Sequence, residues 1–510
     1  MLKNCRDTIL IIDFGSQYTH LIKRRLRELK VHSIIVPPDI SMEEILSLSP
    51  KGIILSGGPE SVYELNSPKI DKALFSLNIP VLGICYGLQL IAYLFGGKIK
   101  RSKNREYGRN KIFLKESKLF KGIPEKITVW MSHGDSTESP PDGFHTTSIC
   151  ENNIIASIEK DNIFGLQFHP EVNHTEYGEK ILDNFLNICK CKRDWVEKDI
   201  IEEKIEEIKK TLGNEKVIVG VSGGVDSTVV AILLKRGIGK NLIPVFVDTG
   251  LLRKNEKEEI TKFFKEKLNI DLISVDAKER FLNRLKGVVD PEEKRKIIGE
   301  EFIRVFEEIG KKYKVKYLAQ GTLYPDVIES GISKGPSKTI KTHHNVGGIP
   351  KDISFKIIEP LRDLFKDEVR ALARKLGVPD EILMRHPFPG PGLSIRIIGE
   401  ITEEKLKILR EADYIFIQEL KREGFYHKVW QAFCVLLPVK TVGVMGDRRT
   451  YEYTVVLRAV ESRDGMTADS SNLPLSFLKK VASRIINEVE GVNRVVYDLS
   501  SKPPSTIEWE

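Results

Sequence analysis

Cysteine is scarce: six residues in 510, at positions 5, 85, 150, 189, 191 and 434. They are too few and too scattered for a disulfide framework, which points to a reducing compartment. Cys189-Lys190-Cys191 lacks a second ligand pair, so no zinc site is expected there. Long apolar runs are absent as well. None approaches the roughly 20 residues of a membrane span, and no membrane partner is expected. The opening MLKNCRDTILIIDFGSQ has no basic start, long apolar stretch and small-residue cleavage site, so a cytoplasmic location is expected. Excess charge of one sign is modest, +8 from 80 Lys and Arg against 72 Asp and Glu. That balance favours anionic ligands only weakly, and without a basic stripe interleaved with aromatics no nucleic-acid partner is expected. There is no internal repeat and no low-complexity segment. What remains, 41% hydrophobic and 30% charged, is the composition of an ordinary soluble protein.

A chain of this length exceeds what one core organises, so several domains are expected. Alternating strands and helices open it: TILIID, a helix over 17–29, SIIVP, GIILSGG, VLGIC and the helix after it. That is an α/β pattern with a mainly parallel sheet. Strand-rich sequence follows (KIFL, ITVWMSH, IIASIE, IFGLQFHPE) and closes with a helix near 178–189. In the charged stretch beyond, Ile201, Ile205 and Ile208 share one helical face, so a helix rather than a loose linker opens the next block. A second α/β block runs from KVIVGVSGGVDSTVVAILLKR through LIPVFVD, DLISVD and KIIEP to the helix LFKDEVRALARKLG. RHPFPGPG at 385–392 then interrupts regular structure. Past it, AFCVLLP and the pair TVGVMG and YEYTVVLRAV, joined across DRR, read as antiparallel strands. A helix at about 474–490 and RVVYDL complete a small α+β domain. The expected division is 1–192, 193–385 and 386–510.

Cys85 stands in Gly83-Ile84-Cys85-Tyr86-Gly87, where an apolar strand gives way to a helix. This has the form of a nucleophile elbow with cysteine in place of serine: small neighbours permit a strained turn that exposes the side chain beside backbone N–H groups. A helix N-terminus also favours a thiolate. On this window alone a buried core cysteine is an equal alternative. Downstream, GLQFHPEVNH offers His169 and Glu171 two residues apart, and alternation puts both on one face, as a base and its orienting carboxylate require. LSGGPES at 55–61 is either a second source of oxyanion-stabilising N–H groups or a tight βα loop. On these motifs, residues 1–190 resemble a class I glutamine amidotransferase domain, in which Cys, His and Glu hydrolyse glutamine to glutamate and ammonia. The resemblance implies Cys85 as nucleophile, His169 as base and Glu171 as orienting carboxylate. It also implies oxyanion N–H groups from Gly58 and Tyr86, and Gln89 helping to hold the substrate.

The second block begins VIVGVSGGVDSTVV: a strand, a Gly-rich loop and a helix start, the geometry that cradles phosphate. No Gly-Lys-Ser/Thr follows, so transfer of a γ-phosphoryl group is not the natural guess. Ser222 to Ser227 resembles the pyrophosphate loop of the N-type ATP pyrophosphatases, which cut ATP between the α- and β-phosphates on a doubly wound, adenine-nucleotide α-hydrolase-like fold. A merely structural Gly-rich turn is the alternative. By resemblance, Gly223 and Gly224 let phosphate oxygens approach, Ser222, Ser227 and Thr228 donate to them, and Val225 belongs to the same ATP-binding loop. Asp226 would orient the loop or assist Mg²⁺, which is expected because the leaving pyrophosphate needs neutralising.

A glutaminase followed by such a pyrophosphatase is similar to the GMP synthetase family, which adenylylates xanthosine 5′-monophosphate (XMP) with ATP and aminates it to GMP. The likeness extends over nearly the whole chain through DFGSQYTHLIKRRLRE, MSHGD (131–135), VDTGLLRKNE (247–256), PEEKRKIIGEEFIRVF (291–306), IKTHHNVGG (340–348), HPFPGPGL (386–393) and KPPSTIEWE at the end. It implies a ligase of guanine nucleotide biosynthesis with glutamine, XMP and ATP as small-molecule partners. The polar stretch YPDVIESGISKGPSKTIKTHHNVGG would be a lid, with Lys341, His343 and His344 near the adenylylation chemistry and Asp326 and Glu329 at the metal. Arg295, Lys502, Thr506 and Glu508 would hold XMP, which requires the tail to be docked. The C-terminal domain would serve dimerisation, making a homodimer. Thr249 departs from the family, where many relatives carry Asn. Competing readings are a glutamine-coupled pyrophosphatase with another acceptor, such as an NAD synthetase, a tRNA-modifying pyrophosphatase, and a non-enzymatic nucleotide-sensing scaffold.

Overall fold

The computed structural model describes residues 7–16, 18–64, 67–324, 355–462, 468–502 and 504–510, with side chains left aside at 101–107, 197 and 445. Among the described residues, those up to Asp199 form one compact unit and those from Ile200 a second.

The first unit is built on nine strands: β1 (Thr8–Ile12), β2 (His32–Val36), β3 (Gly52–Leu55), β4 (Val81–Ile84), β5 (Lys98–Leu114), β6 (Lys126–Ser139), β7 (His145–Cys150), β8 (Ile155–Lys160) and β9 (Ile163–Leu166). They lie in the order β2-β1-β3-β4-β9-β8-β7-β5-β6. From β2 to β9 the pairing is parallel, and beyond β9 it is antiparallel. The parallel half is covered on both faces, which is why β1 and β4 read as unbroken apolar runs and are buried throughout. Alternation sorts their side chains: Ile9, Ile11, Leu82 and Ile84 join one apolar cluster, and Leu10, Ile12 and Val81 the other. KIFL is the end of one long strand, β5, and not a separate short one.

The helix Glu197–Leu212 buries Ile200, Ile201 and Ile208 on the apolar stripe expected of it, with Ile205 half-buried. In the second unit β10 (Val217–Gly220), β11 (Leu242–Asp248), β12 (Ile273–Asp276), β13 (Tyr317–Ala319) and β14 (Lys356–Ile358) form a parallel sheet in the order β12-β11-β10-β13-β14. The winding reverses between β10 and β13, so a crevice opens at the carboxyl end of β10, where doubly wound folds bind ligands. The third sheet holds β15 (Gln431–Met445), β16 (Arg448–Glu461), β17 (Asp469–Ser470) and β18 (Val492–Tyr497). AFCVLLP and TVGVMG are two parts of β15, separated by a register shift between Leu436 and Lys440 that spans Pro438. Gly446 and Asp447, with φ of 52° and 60°, make the tight turn into β16. RHPFPGPG does interrupt regular structure, yet one apolar cluster runs on both sides of it, from Ile218, Val245 and Phe281 to Phe416, Val455 and Ile485.

Candidate active site

Cys85 sits between β4 and the helix Tyr86–Leu94 with φ 52° and ψ −103°, a conformation that costs a non-glycine residue about 1–3 kcal/mol. The surroundings hold it there. Cys85 N donates to Leu166 O at 2.7 Å, and Gly87 N to Ser56 O at 3.1 Å. The two flanking glycines are a packing requirement: a Cβ on Gly83 would lie 2.5 Å from the Gly87 carbonyl carbon, and one on Gly87 would lie 2.4 Å from Leu55 O. No side chain fits at either position, so the strand, the elbow and the helix close on themselves.

Beyond β9 the chain leaves the sheet through a bend and a turn, and Gln167, His169 and Glu171 on this segment are all buried. His169 Nδ1 meets Glu171 Oε1 at 2.7 Å with both side chains almost wholly buried, and the ring interacts electrostatically with Cys85. Burial opposes a charge on the imidazole. The Glu171 carboxylate and the interactions with Cys85 and Glu171 outweigh it and raise the His169 pKa well above its ordinary 6.5. The ring is fixed by its backbone, since His169 N donates to Trp130 O at 3.0 Å and Thr175 Oγ1 to His169 O at 2.6 Å. Tyr18 packs edge-on against it, 4.9 Å between centroids. Arg25 Nε donates to Glu171 O at 3.0 Å, steadying the loop that carries the carboxylate.

The Gly57-Gly58 turn lies against this group. A Cβ on Gly57 would come within 3.2 Å of His169 Cε1, and one on Gly58 within 3.2 Å of Tyr86 Cγ. Gln89, also expected at the substrate, spends its Nε2 on Asp135 O at 2.8 Å. Two groups that the sequence motifs do not include touch Cys85: Gln167 Nε2 donates to Cys85 Sγ at 3.8 Å, and the thiol donates to Ser132 O at 3.7 Å. The signal for Gln167 was available, because a glutamine directly after an apolar strand and two residues before His169 is out of place there. Ser132 contributes only a carbonyl and left no trace in side-chain identity.

In the second unit, β10 leads into the loop and the helix Val225–Ile238. Gly223 has φ 74°, and a Cβ there would strike Ile260 at 2.4 Å, so two constraints require glycine. The expected phosphate donors are engaged with one another: Ser222 Oγ and Ser227 Oγ are 3.1 Å apart, and Ser227 Oγ donates to Gly224 O at 3.2 Å. Thr228 is fully buried and its hydroxyl donates to the same carbonyl at 2.8 Å. Asp226 Oδ2 accepts from Lys366 Nζ at 2.6 Å, while Oδ1 is buried and has no hydrogen-bond partner among the described residues. Gly224 and Val225 open the helix over a cavity of about 290 Å³ lined by Ser222, Asp226, Ser227, Phe306 and Thr322. Arg385 ties the loop down through Gly223 O at 3.3 Å and through an ion pair with the buried Glu256.

The tail is docked. Glu508 is clasped by the buried Arg396 at 2.8 and 3.0 Å and by Gln431 Nε2 at 2.8 Å; Thr506 Oγ1 donates to Glu508 O. Arg295 reaches Glu292 at 2.8 Å and Glu510 O at 2.5 Å. Lys502 lines a basin of about 870 Å³ together with Arg370, Arg385, His386, Lys428 and Trp430, a lining rich in cations. The structure therefore brings Lys502 to the basin and ties Arg295, Thr506 and Glu508 to the tail itself. Asp326, Glu329, Lys341, His343 and His344 lie outside the described residues.

Comparison with known proteins adds to this geometry. Residues 10–189 match the glutamine amidotransferase class-I family, 197–301 the NAD synthase family and 418–509 the GMP synthase C terminal domain. A glutamine-hydrolyzing GMP synthase of Thermosipho africanus is 58% identical over 99% of this chain and all of its own length. One of Aquifex aeolicus is 59% identical over the same shares. Among solved structures, a Thermoplasma acidophilum protein assigned as one subunit of a GMP synthase is 37% identical, covering 36% of this chain and 94% of its own, with a TM-score of 0.34.

Proposed function

Since the chain belongs to the family of glutamine-hydrolyzing GMP synthases, we propose that two sites within it share the work of turning XMP into GMP. The chain is a ligase that draws ammonia from glutamine and couples its transfer to ATP. In the first unit Cys85 passes its thiol proton to His169 Nε2, Nδ1 being held by Glu171, and the resulting thiolate attacks the glutamine amide carbon. The oxyanion is received by the N–H groups of Tyr86 and Gly58. His169 returns its proton to the departing nitrogen, ammonia leaves, and water, deprotonated by His169, releases glutamate from the thioester. The observation that carries this reading is the buried His169–Glu171 pair, electrostatically linked to a cysteine on a strained elbow.

In the second unit the Ser222–Thr228 loop receives the pyrophosphate of ATP as the XMP carbonyl oxygen attacks the α-phosphorus. Pyrophosphate leaves, and ammonia then displaces AMP from the adenylylated base. The donors Ser222 and Ser227 exchange their mutual hydrogen bond for phosphate oxygens. Asp226 fits a Mg²⁺ ion through its buried, unsatisfied Oδ1, and such an ion neutralises charge on the phosphates when bound. XMP belongs in the cationic basin beside Lys502. The domains divide as 1–192, 193–385 and 386–510. We read the chain as a cytoplasmic homodimer. Val442, Val444 and Tyr451, exposed on one face of the β15–β16 ribbon, support that association, and light scattering measures it. Among the described residues the cysteines are free and no helix is long and apolar enough to cross a membrane.

The test is one incubation: protein, XMP, ATP and Mg²⁺ with either glutamine or ammonium, followed by identification of the nucleotides. GMP, AMP and pyrophosphate from both nitrogen sources is the expected result. ADP, or XMP left unchanged, refutes the second-unit chemistry.

A further inference from the structure

Three of the largest side chains with essentially no exposed surface are cations, Lys294, Arg396 and Arg458, and all three are aimed at residues 498–510. Lys294 binds Glu510 and the carbonyls of Ser394 and Ile397, at 3.3 and 2.9 Å for the latter two. Arg396 forks onto Glu508. Arg458, on β16, spreads across backbone: Nη1 donates to Ser500 O at 2.6 Å and Asp498 O at 3.4 Å, and Nη2 to Thr506 O at 3.3 Å. Its charge is met by Asp498 Oδ2 at 3.3 Å. That carboxylate is itself fixed by Ser500 N at 2.8 Å and Trp509 Nε1 at 2.9 Å.

Burying an ion pair is rarely more stabilising than packing apolar side chains in the same volume, so such an arrangement is an inefficient way to gain stability. What a rigid planar fork does supply is geometry, because it fixes several carbonyls at once. The carbonyls Arg458 gathers stand on either side of Lys502, whose backbone exchanges hydrogen bonds with Ala468 at 2.6 and 3.0 Å. The loop that presents Lys502 to the basin is thus closed at both ends by one guanidinium. We propose that Arg458 is a positioning residue for XMP: without touching the nucleotide, it holds Lys502 where it binds the nucleotide. The proposal rests on the reading of this tail as the XMP site.

The test uses the full chain with ammonium as nitrogen donor, in the variants Lys502→Met, Arg458→Met, Arg458→Lys and Asp498→Asn, each checked for a native melting transition. Arg458→Met raises KM for XMP about 10–100-fold while KM for ATP stays within about twofold, the split expected of a displaced binding loop. Arg458→Lys, which keeps the charge but loses the fork, falls between wild type and Arg458→Met. Asp498→Asn shifts KM for XMP in the same direction by about three- to tenfold. If Lys502→Met raises KM for XMP and folded Arg458→Met does not, the proposal falls and the XMP reading stands. If Lys502→Met leaves KM for XMP unchanged, the reading of the tail falls and the proposal with it. Should Arg458→Met fail to fold, Asp498→Asn decides by the same criterion.

Discussion

The two reaction centres are organised on opposite terms. Around Cys85 the groups are buried and already oriented: Glu171 on His169, Gln167 on the thiol, and carbonyls and amides locking the ring and the elbow. Around the SGGVDS loop Ser222 is exposed, and the hydroxyls satisfy one another across a crevice. The contrast follows the substrates. A neutral amide brings no charge to organise a site, so transition-state dipoles must be fixed in advance in a water-poor wall. A polyphosphate brings several charges, and donors that rest on each other can be drawn to it at small cost.

The largest expected effects separate the halves. Cys85→Ala lowers glutamine-dependent GMP formation at least about 10³-fold and leaves the ammonium-dependent rate within about twofold. Asp226→Ala, by contrast, lowers both by about 10²-fold or more, because its carboxylate serves the step common to the two nitrogen sources. Measuring GMP with each source checks both variants, and loss of the ammonium rate in Cys85→Ala would erase the distinction.

A smaller effect probes how far the first centre is pre-set. In the native enzyme the pH limb for loss of the His169 proton lies well above 6.5. Glu171→Gln removes the main support for that proton and leaves burial, which disfavours it. The limb therefore moves to lower pH, and the glutaminase rate near neutrality falls about 10²–10⁴-fold. A pH–rate profile with an unmoved limb would remove Glu171 from the role given to it.

The smallest effect concerns stability beside the basin. Burial lowers the His386 pKa to about 4. Ala432 N donates to Nδ1 at 3.2 Å and Nε2 meets Tyr426 O at 2.8 Å, so a second proton would displace a backbone bond. The unfolded chain takes up that proton near 6.5 and the folded one only near 4. Stability therefore rises with pH across that window, and acidification from pH 7 to 4 removes on the order of 3 kcal/mol. Unfolding midpoints against pH should show a flatter slope in His386→Gln.

Much of the first centre was legible because its chemistry imposes local pattern. The glycines at 83 and 87, the cysteine between them and the His-x-Glu spacing are all short-range consequences of one elbow and of the turn that follows one strand. The parallel blocks were legible for a similar reason, since a strand covered on both faces must be an apolar run. What escaped depends on distant segments. Nothing near Glu508 announces that Arg396 and Gln431 hold its carboxylate, 112 and 77 residues away in sequence. The merging of AFCVLLP with TVGVMG was hidden by Pro438, which a sheet tolerates where the register shifts. The apolar cluster continuing past RHPFPGPG was invisible as well, because a proline-rich break in the backbone says nothing about side chains packed on either side of it.

At the elbow, Gly83 and Gly87 leave no room for a methyl group, while Cys85 between them turns its side chain to Ser132 and Gln167. Chemistry and architecture are therefore editable to different degrees at neighbouring positions. An engineer can exchange Cys85 for serine or alanine and retain the scaffold, but the least change on either side, one carbon atom, forces apart three elements of the fold. Evolution meets the same boundary: this turn can lose its reaction in one step, and can change its shape only by being rebuilt.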